Sequence, residues 1–254
     1  MDPVTLKLAK NYAVGPVDLT GQADGDYIRN DGGGWKPRTT AELVQDIILQ
    51  DQWSVYQCAE LDNRAVAGTG SAVIDSTRYL GLTTGATAGG SARAGIADRS
   101  GWTINTDYRT MDFGKPIILV SFVRPETTTG TNSQYWGYIG VDDGAAMSDP
   151  TTKGIGFRCD CLAVKGIVHD GATLTVVDLT TNLVRRRAHK IAVVSDGAGN
   201  VSWYVDDVYK ANTALGPVGV SALGEDALRY WITNGAHEET LTYYLMQTNL
   251  YIKQ

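Results

Sequence analysis

The sequence predicts an all-β protein, an antiparallel sandwich preceded by a short hairpin-plus-helix segment, and three observations carry that prediction. From Trp53 onward, short apolar runs recur between Gly, Asp and Asn turns, with no helical period separating them. The composition leans toward turns and strands, with 29 Gly and 13 Tyr against 3 Phe and 4 Met in 254 residues. With 43% hydrophobic and 20% charged residues, the chain has enough apolar side chain for one substantial core, and sandwiches of this length commonly stay single.

Residues 1–52 read as a segment of their own and 53–254 as the sandwich domain. In the first, Tyr27, Ile28 and Trp35 flank the turn-rich stretch Asn30 to Gly34, which predicts a small hairpin. Thr39 with Glu42 three residues later forms a capping box, and Leu43, Val44, Ile47 and Ile48 then fall on one stripe of a helix. A helix of about eleven residues is marginal alone. Its stripe is therefore expected to bury against the sandwich or against another copy of the chain, which makes these four residues the candidate oligomerisation contacts.

Strands are expected near 53–59, 71–74, 78–82, 117–124, 135–141, 154–160, 162–168, 173–178, 189–195, 200–206, 208–211, 228–233 and 242–252. The run "HKIAVVSDGAGNVSWYVDDVY", His189 to Tyr209, shows why. "KIAVVS" is apolar on both faces, as a covered central strand should be. Val201, Trp203 and Val205 alternate with Ser202, Tyr204 and Asp206, giving one buried and one wetter face. "DGAGN" supplies turn residues for positive φ, and Asp206-Asp207 fills the two-residue slot of a tight hairpin. The Gly, Ala and Thr stretch 81–95 lacks core-forming side chains and reads as a long loop or arm.

A formal charge of -6 with only one basic cluster, Arg185-Arg186-Arg187, gives no electrostatic footprint for nucleic acid. That cluster reads as a solvated strand edge. The start "MDPVTLKLAKNYAVG" has no apolar signal core and no stretch approaches a membrane span, so synthesis in a cytoplasm without membrane insertion is expected. Cys58, Cys159 and Cys161 are an odd three, which argues against a disulfide framework. Cys159 and Cys161, at i and i+2 on an expected strand, would share a face; core packing is the simpler reading, since no ligand set surrounds them.

The string Lys190 to Pro217, "KIAVVSDGAGNVSWYVDDVYKANTALGP", resembles the penultimate strand-turn-strand unit of concanavalin A-like jelly rolls, the lectin, glucanase and laminin-G superfamily. Asp207 departs from it, standing where that unit usually has Gly. The closing "LTYYLMQTNLYIKQ" is similar to the last strand of the same fold, and the resemblance spans roughly residues 53–254. It implies the fold and leaves function open, because that fold hosts enzymes, lectins and structural modules. A second element, "GDYIRNDGGGWKPRTTAEL", resembles a short segment near the start of bacteriophage fibre, adaptor and decoration proteins, carried here by Gly25, Asp26, Ile28, Gly33, Trp35, Thr39 and Thr40. Together the resemblances imply a phage virion surface protein, trimeric in the manner of such fibres and decorations. It would contact other virion proteins and a host-surface carbohydrate.

The glucanases of this superfamily carry alternating carboxylates on one strand, because residues two apart share a face and can flank a glycosidic bond. This sequence has no such run; Glu225-Asp226 and Glu238-Glu239 are adjacent pairs in expected loops. His169, His189 and His237 come with no nucleophile elbow. The expectation is therefore a non-enzymatic protein, with a bacterial carbohydrate-active enzyme or lectin-like glycan-binding module as the alternative. Glycan binding needs exposed aromatic faces beside hydrogen-bonding groups. The candidates are Trp102, Tyr108, Tyr135, Trp136, Tyr138 and Tyr230 with Asn234 and His237, although Trp136, Trp203 and Trp231 lie in strand patterns where core packing competes. No cofactor is expected; Asp142, Asp143 and Asp149, in one acidic loop, are the candidate Ca²⁺ ligands.

Overall fold

The structure, a computed structural model, describes residues 27–30, 35–38, 53–57, 63–74, 79–95, 110–128, 132–140, 149–222 and 228–253. The chain divides into two compact units, residues 1–52 and 53–254. In the first, β1 (Tyr27–Asn30) and β2 (Trp35–Arg38) pair antiparallel, with Asn30 opposite Trp35. The expected helix with Leu43, Val44, Ile47 and Ile48 lies outside the described residues.

The second unit is all-β among its described residues. Its strands are β3 (Trp53–Gln57), β4 (Asn63–Ala67), β5 (Ser71–Ile74), β6 (Leu80–Thr83), β7 (Ser91–Gly95), β8 (Thr110–Asp112), β9 (Ile117–Thr128), β10 (Gln134–Gly140), β11 (Gly154–Asp160), β12 (Ala163–His169), β13 (Leu174–Asn182), β14 (His189–Ser195), β15 (Val201–Val205), β16 (Val208–Thr213), β17 (Val220–Ala222), β18 (Leu228–Thr233) and β19 (Leu241–Lys253). Two antiparallel sheets face each other. One has the order β13-β12-β11-β10-β18-β7-β4; the other runs β16-β15-β14-β9-β19-β6-β5, with β3 also on β19, and β8 pairs with β17 apart from both. This is the jelly-roll, lectin-like sandwich. No helix of the described residues is long and apolar enough to cross a membrane.

Alternation builds the core. On β14 and β9, Ile191, Val193, Ile117, Leu119 and Val123 point inward with no exposure. Ala192, Ile118 and Val120, which alternate with them, are also buried, so β14 is apolar on both faces as its sequence predicts. Trp203 reaches from β15 across the core: its Nε1–H donates to Gly156 O at 2.8 Å, and its ring lies where a side chain on Gly166 would stand, 2.5 Å from an added Cβ. Tyr204 is also buried, 6% exposed, so the second face of β15 is drier than alternation suggested. Asp206 and Asp207 adopt φ of 52° and 65°, the two left-handed positions of a type I′ turn between Val205 and Val208.

Two expectations are corrected here. Residues 81–95 are not a free arm, for they contain the end of β6 and all of β7, which pairs with β18 and β4. Small side chains are what this place needs. Ala92 and Ala94 are fully buried, and an added Cβ at Gly90 or Gly70 would stand 1.9 Å from Thr84 O or Ser91 O, so backbones meet where apolar bulk cannot fit. Cys159 and Cys161 do not share a strand face: Cys159 ends the inward row of β11, whereas Cys161 lies in the β11–β12 turn at φ 55°.

Candidate functional site

Strand direction sorts the loops into two ends. The polypeptide enters the sandwich at Trp53, paired with Lys253, and at this end Ile117 lies between Ser195 and Ile252. At the other end the loops after β6, β9, β13 and β18 gather. Gly89 N–H donates to Gly235 O, Asn234 N–H to Gly90 O, Cys161 N–H to Ser133 O and Leu183 N–H to Leu162 O. Loops at one end of a rigid sandwich are where binding groups are usually placed.

Glu239 organises this end. Its carboxylate accepts from Asn132 N–H at 2.8 Å, Asn132 Nδ2–H at 2.8 Å, Ser133 N–H at 3.1 Å and Ser133 Oγ–H at 3.2 Å, joining the β18–β19 loop to the β9–β10 loop. Asn234, fully buried, donates from Nδ2 to Thr87 O and Glu239 O, and so ties in the β6–β7 loop. Its Oδ1 is buried without a hydrogen-bond partner. His237 and Asn132 stand exposed above this knot. Neither Glu239 nor Asn132 was singled out from the sequence as a site residue, because a carboxylate engaged by loop N–H groups has no spacing signature.

The described aromatic candidates, Tyr135, Trp136, Tyr138 and Tyr230, separate into two layers, and none of the four presents a ring to solvent. Tyr135 and Tyr230 face the core, Tyr135 stacked on Tyr243 at 4.4 Å, and the Tyr230 hydroxyl bonds Ser121 and Thr248 at 2.7 and 2.5 Å. Trp136 and Tyr138 lie on the other face of the same sheet. Trp136 stacks on Trp231 at 4.9 Å, Arg158 covers Trp136 at 5.0 Å, and Arg229 lies over Trp231 at 5.3 Å. Tyr138 lies against Gly154 and Gly140 and donates to Thr152 O. All four candidate rings have 0% exposure, so the sugar-stacking role expected of Tyr135, Trp136, Tyr138 and Tyr230 is not available to them as they stand. The period-two pattern that made them strand residues also buried them. Trp102 and Tyr108 lie outside the described residues.

Several of the other described polar side chains are engaged within the protein. On the outer face Asp160 takes Arg158 Nη2–H at 3.0 Å, and Asp178 pairs with Lys165 at 2.9 Å. His169 is buried and its Nδ1 accepts Gly171 N–H. His189, 4% exposed, holds Asp206 through Nδ1 at 2.8 Å while Nε2 accepts Val184 N–H at 2.8 Å, so neither nitrogen is free for a nucleophile. Burial pushes the Cys159 thiol far up and raises that of Cys161, which keeps both protonated and poor as soft-metal ligands. Asp142 and Asp143 lie outside the described residues; Asp149 is exposed, 3.6 Å from Arg158. No group of three His, Cys, Asp or Glu suited to a metal occurs among the described residues.

The Asp206 contact gives a pH expectation. Partial burial works against ionisation of Asp206, but hydrogen bonds from Lys190 N–H and the His189 ring, with the nearby charge of Arg187, outweigh it and hold its carboxyl below the usual range. A depressed folded-state value means stability present above the unfolded value of about 4 and lost as pH falls through the folded one. Acid unfolding of Asp206→Asn should accordingly show a flatter slope below about pH 4 than the parent chain. Equal slopes in denaturant titrations across that window would remove this contribution.

No protein-family profile matches the sequence, and no curated protein matches it. The fold nonetheless defines a class, the lectin-like jelly roll. The carbohydrate recognition domain of Emp47p superposes with a TM-score of 0.50 at 11% identity, over 78% of this chain and 96% of that one. A carbohydrate esterase of the Shiga toxin-encoding bacteriophage phi24B gives 0.47 at 14% identity, over 77% and 93%. A protein of unknown function from Shewanella oneidensis MR-1 gives 0.47 at 11% identity, over 100% and 95%.

Proposed function

We propose that this chain is a non-enzymatic glycan-binding protein of a phage virion surface, a capsid decoration or a head or tail fibre. Residues 1–52 attach it to other virion proteins, and the sandwich is displayed outward for host-surface carbohydrate. The observation that carries this reading is the polarity of the sandwich. The first sandwich strand begins at Trp53 beside Lys253, whereas the Glu239, Asn234, Asn132 and His237 cluster occupies the opposite end of the sandwich. There the exposed Asn132 and His237 offer an amide and an imidazole to sugar hydroxyls, on loops held by Glu239 and the buried Asn234. The lectin-like fold supports the substrate class, and the similarity of Gly25 to Thr40 to phage attachment elements supports the location. The absence of catalysis is supported by the engagement of Glu239, Asp160 and Asp178 with donors or cations, since a hydrolytic pair needs one carboxyl ready to exchange a proton.

On a glycan array the full chain should bind weakly and multivalently, and leave the bound glycans unshortened and still esterified. Release of sugar or acyl groups would replace this reading with the carbohydrate-active enzyme, and silence across the array would leave a purely structural protein. Sedimentation of the full chain should show an oligomer, a homotrimer, held through Leu43, Val44, Ile47 and Ile48; removing residues 1–52 should weaken it. A monomer for the intact chain would remove the assembly role of that segment.

A further inference from the structure

We infer that the loop carrying Arg185, Arg186 and Arg187 is a docking point for an anionic polysaccharide. This names the ligand class of the glycan-binding end and rests on that reading. The three arginines do not lie on a strand edge, as the sequence suggested; they occupy the connection from β13 to β14 and all three are exposed. The loop is held from beneath at four places. Leu183 N–H donates to Leu162 O, Val184 N–H to His189 Nε2, Arg186 N–H to Pro125 O and Arg187 N–H to Val184 O. Arg186 sits at φ 58°, a conformation that a long side chain keeps only where the surrounding structure holds it.

Their countercharges are short. Glu126 alone is shared by Arg186 at 3.4 Å and Arg124 at 3.3 Å, and Arg185 reaches only Glu126 O. The nearby carboxylates Asp206 and Asp207 are committed to His189 and Lys190. Arg187 has no ion-pair partner among the described residues, and on a chain of net charge -6 Arg185–Arg187 is the only run of three consecutive cations in the sequence, answered by the single carboxylate Glu126. Guanidinium forks match the two oxygens of a carboxylate or phosphate, and a loop fixed in advance loses little entropy on binding. One loop of three cations on an acidic chain suits a repeating anion on a sugar polymer better than the several phosphates tracked by a nucleic-acid site.

The test uses the full-length protein in titrations with polygalacturonate, neutral dextran and single-stranded DNA of matched charge, at low and physiological salt. Polygalacturonate should bind, weaken as salt rises, and lose about tenfold or more in affinity in the triple variant Arg185→Gln, Arg186→Asn, Arg187→Gln. Asn is chosen at 186 because it tolerates the left-handed backbone, so an unchanged melting temperature is expected. Lys115→Gln, at the opposite end, should bind as the parent does. Undiminished polygalacturonate binding by the triple variant, or arginine-dependent DNA binding of equal strength, would overturn the inference. Neutral glycans bound equally by parent and triple variant would overturn it while leaving the glycan-binding reading intact; no binding to any glycan would sink both.

Discussion

Replacing Trp203 by alanine should destabilise the sandwich by about 3–5 kcal/mol, the range for deleting a buried indole from a packed core. The ring is fully buried, fills the space above Gly166 and donates its Nε1–H to Gly156 O, so it bridges β15 to both β11 and β12 of the opposing sheet. Deleting it leaves a cavity and a buried carbonyl without its donor. Two companions separate those terms. Trp203→Phe keeps most of the volume and should lose less, while Gly166→Ala inserts a methyl group 2.5 Å from the ring and should cost about 1–3 kcal/mol by overpacking. Denaturant midpoints followed by tryptophan fluorescence and by far-ultraviolet dichroism check the order. If Trp203→Ala melted within about 1 kcal/mol of the parent, the cross-sheet packing described here would be wrong.

The second large effect is expected at Glu239. Alanine there leaves Asn132 N–H, Asn132 Nδ2–H, Ser133 N–H and Ser133 Oγ–H without their shared acceptor, and all four bond a carboxylate oxygen. Hydrogen bonds to charged groups contribute about 1.5–3 kcal/mol each when partly buried, but Asn132 is exposed and water replaces part of what is lost. A net loss of about 2–3 kcal/mol is expected, with Glu239→Gln intermediate because its amide oxygen still accepts. Hydrogen exchange should quicken at Asn132, Ser133 and Asn234 more than at Gly171 or Ala198. Exchange accelerated evenly over the whole sandwich would show that Glu239 is not a local clasp.

The fold was legible where side chains state their own burial. β11, β14 and β18 match the expected 154–160, 189–195 and 228–233, because long apolar runs between Gly and Asp turns leave one reading. The tight turn at Asp206-Asp207 was also legible despite the missing glycine, since Asp tolerates positive φ. β7 was not, because Ala92 and Ala94 earn their burial from close backbone approach and not from their own apolar bulk. The short strands β8 and β17 were missed for a related reason: three residues make no period.

At the site, Asn234 was named from its place in sequence beside an aromatic strand, and both it and the aromatic residues Tyr230 and Trp231 proved to be internal. A two-residue period tells which positions share a face, and it does not tell whether that face is covered. Glu239 and the Arg185–Arg187 loop escaped for the opposite reason. Their contacts join loop residues 59 and 106 positions apart in the chain, which no local pattern records.

The central claim is that one end of this sandwich meets carbohydrate and leaves it unaltered. Hydrogen-exchange mapping of the full chain, with and without saturating polygalacturonate and with the polymer length followed in the same samples, tests it directly. Protection should appear over 132–133, 183–190 and 234–240, with the polymer undiminished in length. Protection centred instead on 113–116 and 214–222, or shortening of the polymer, would contradict it.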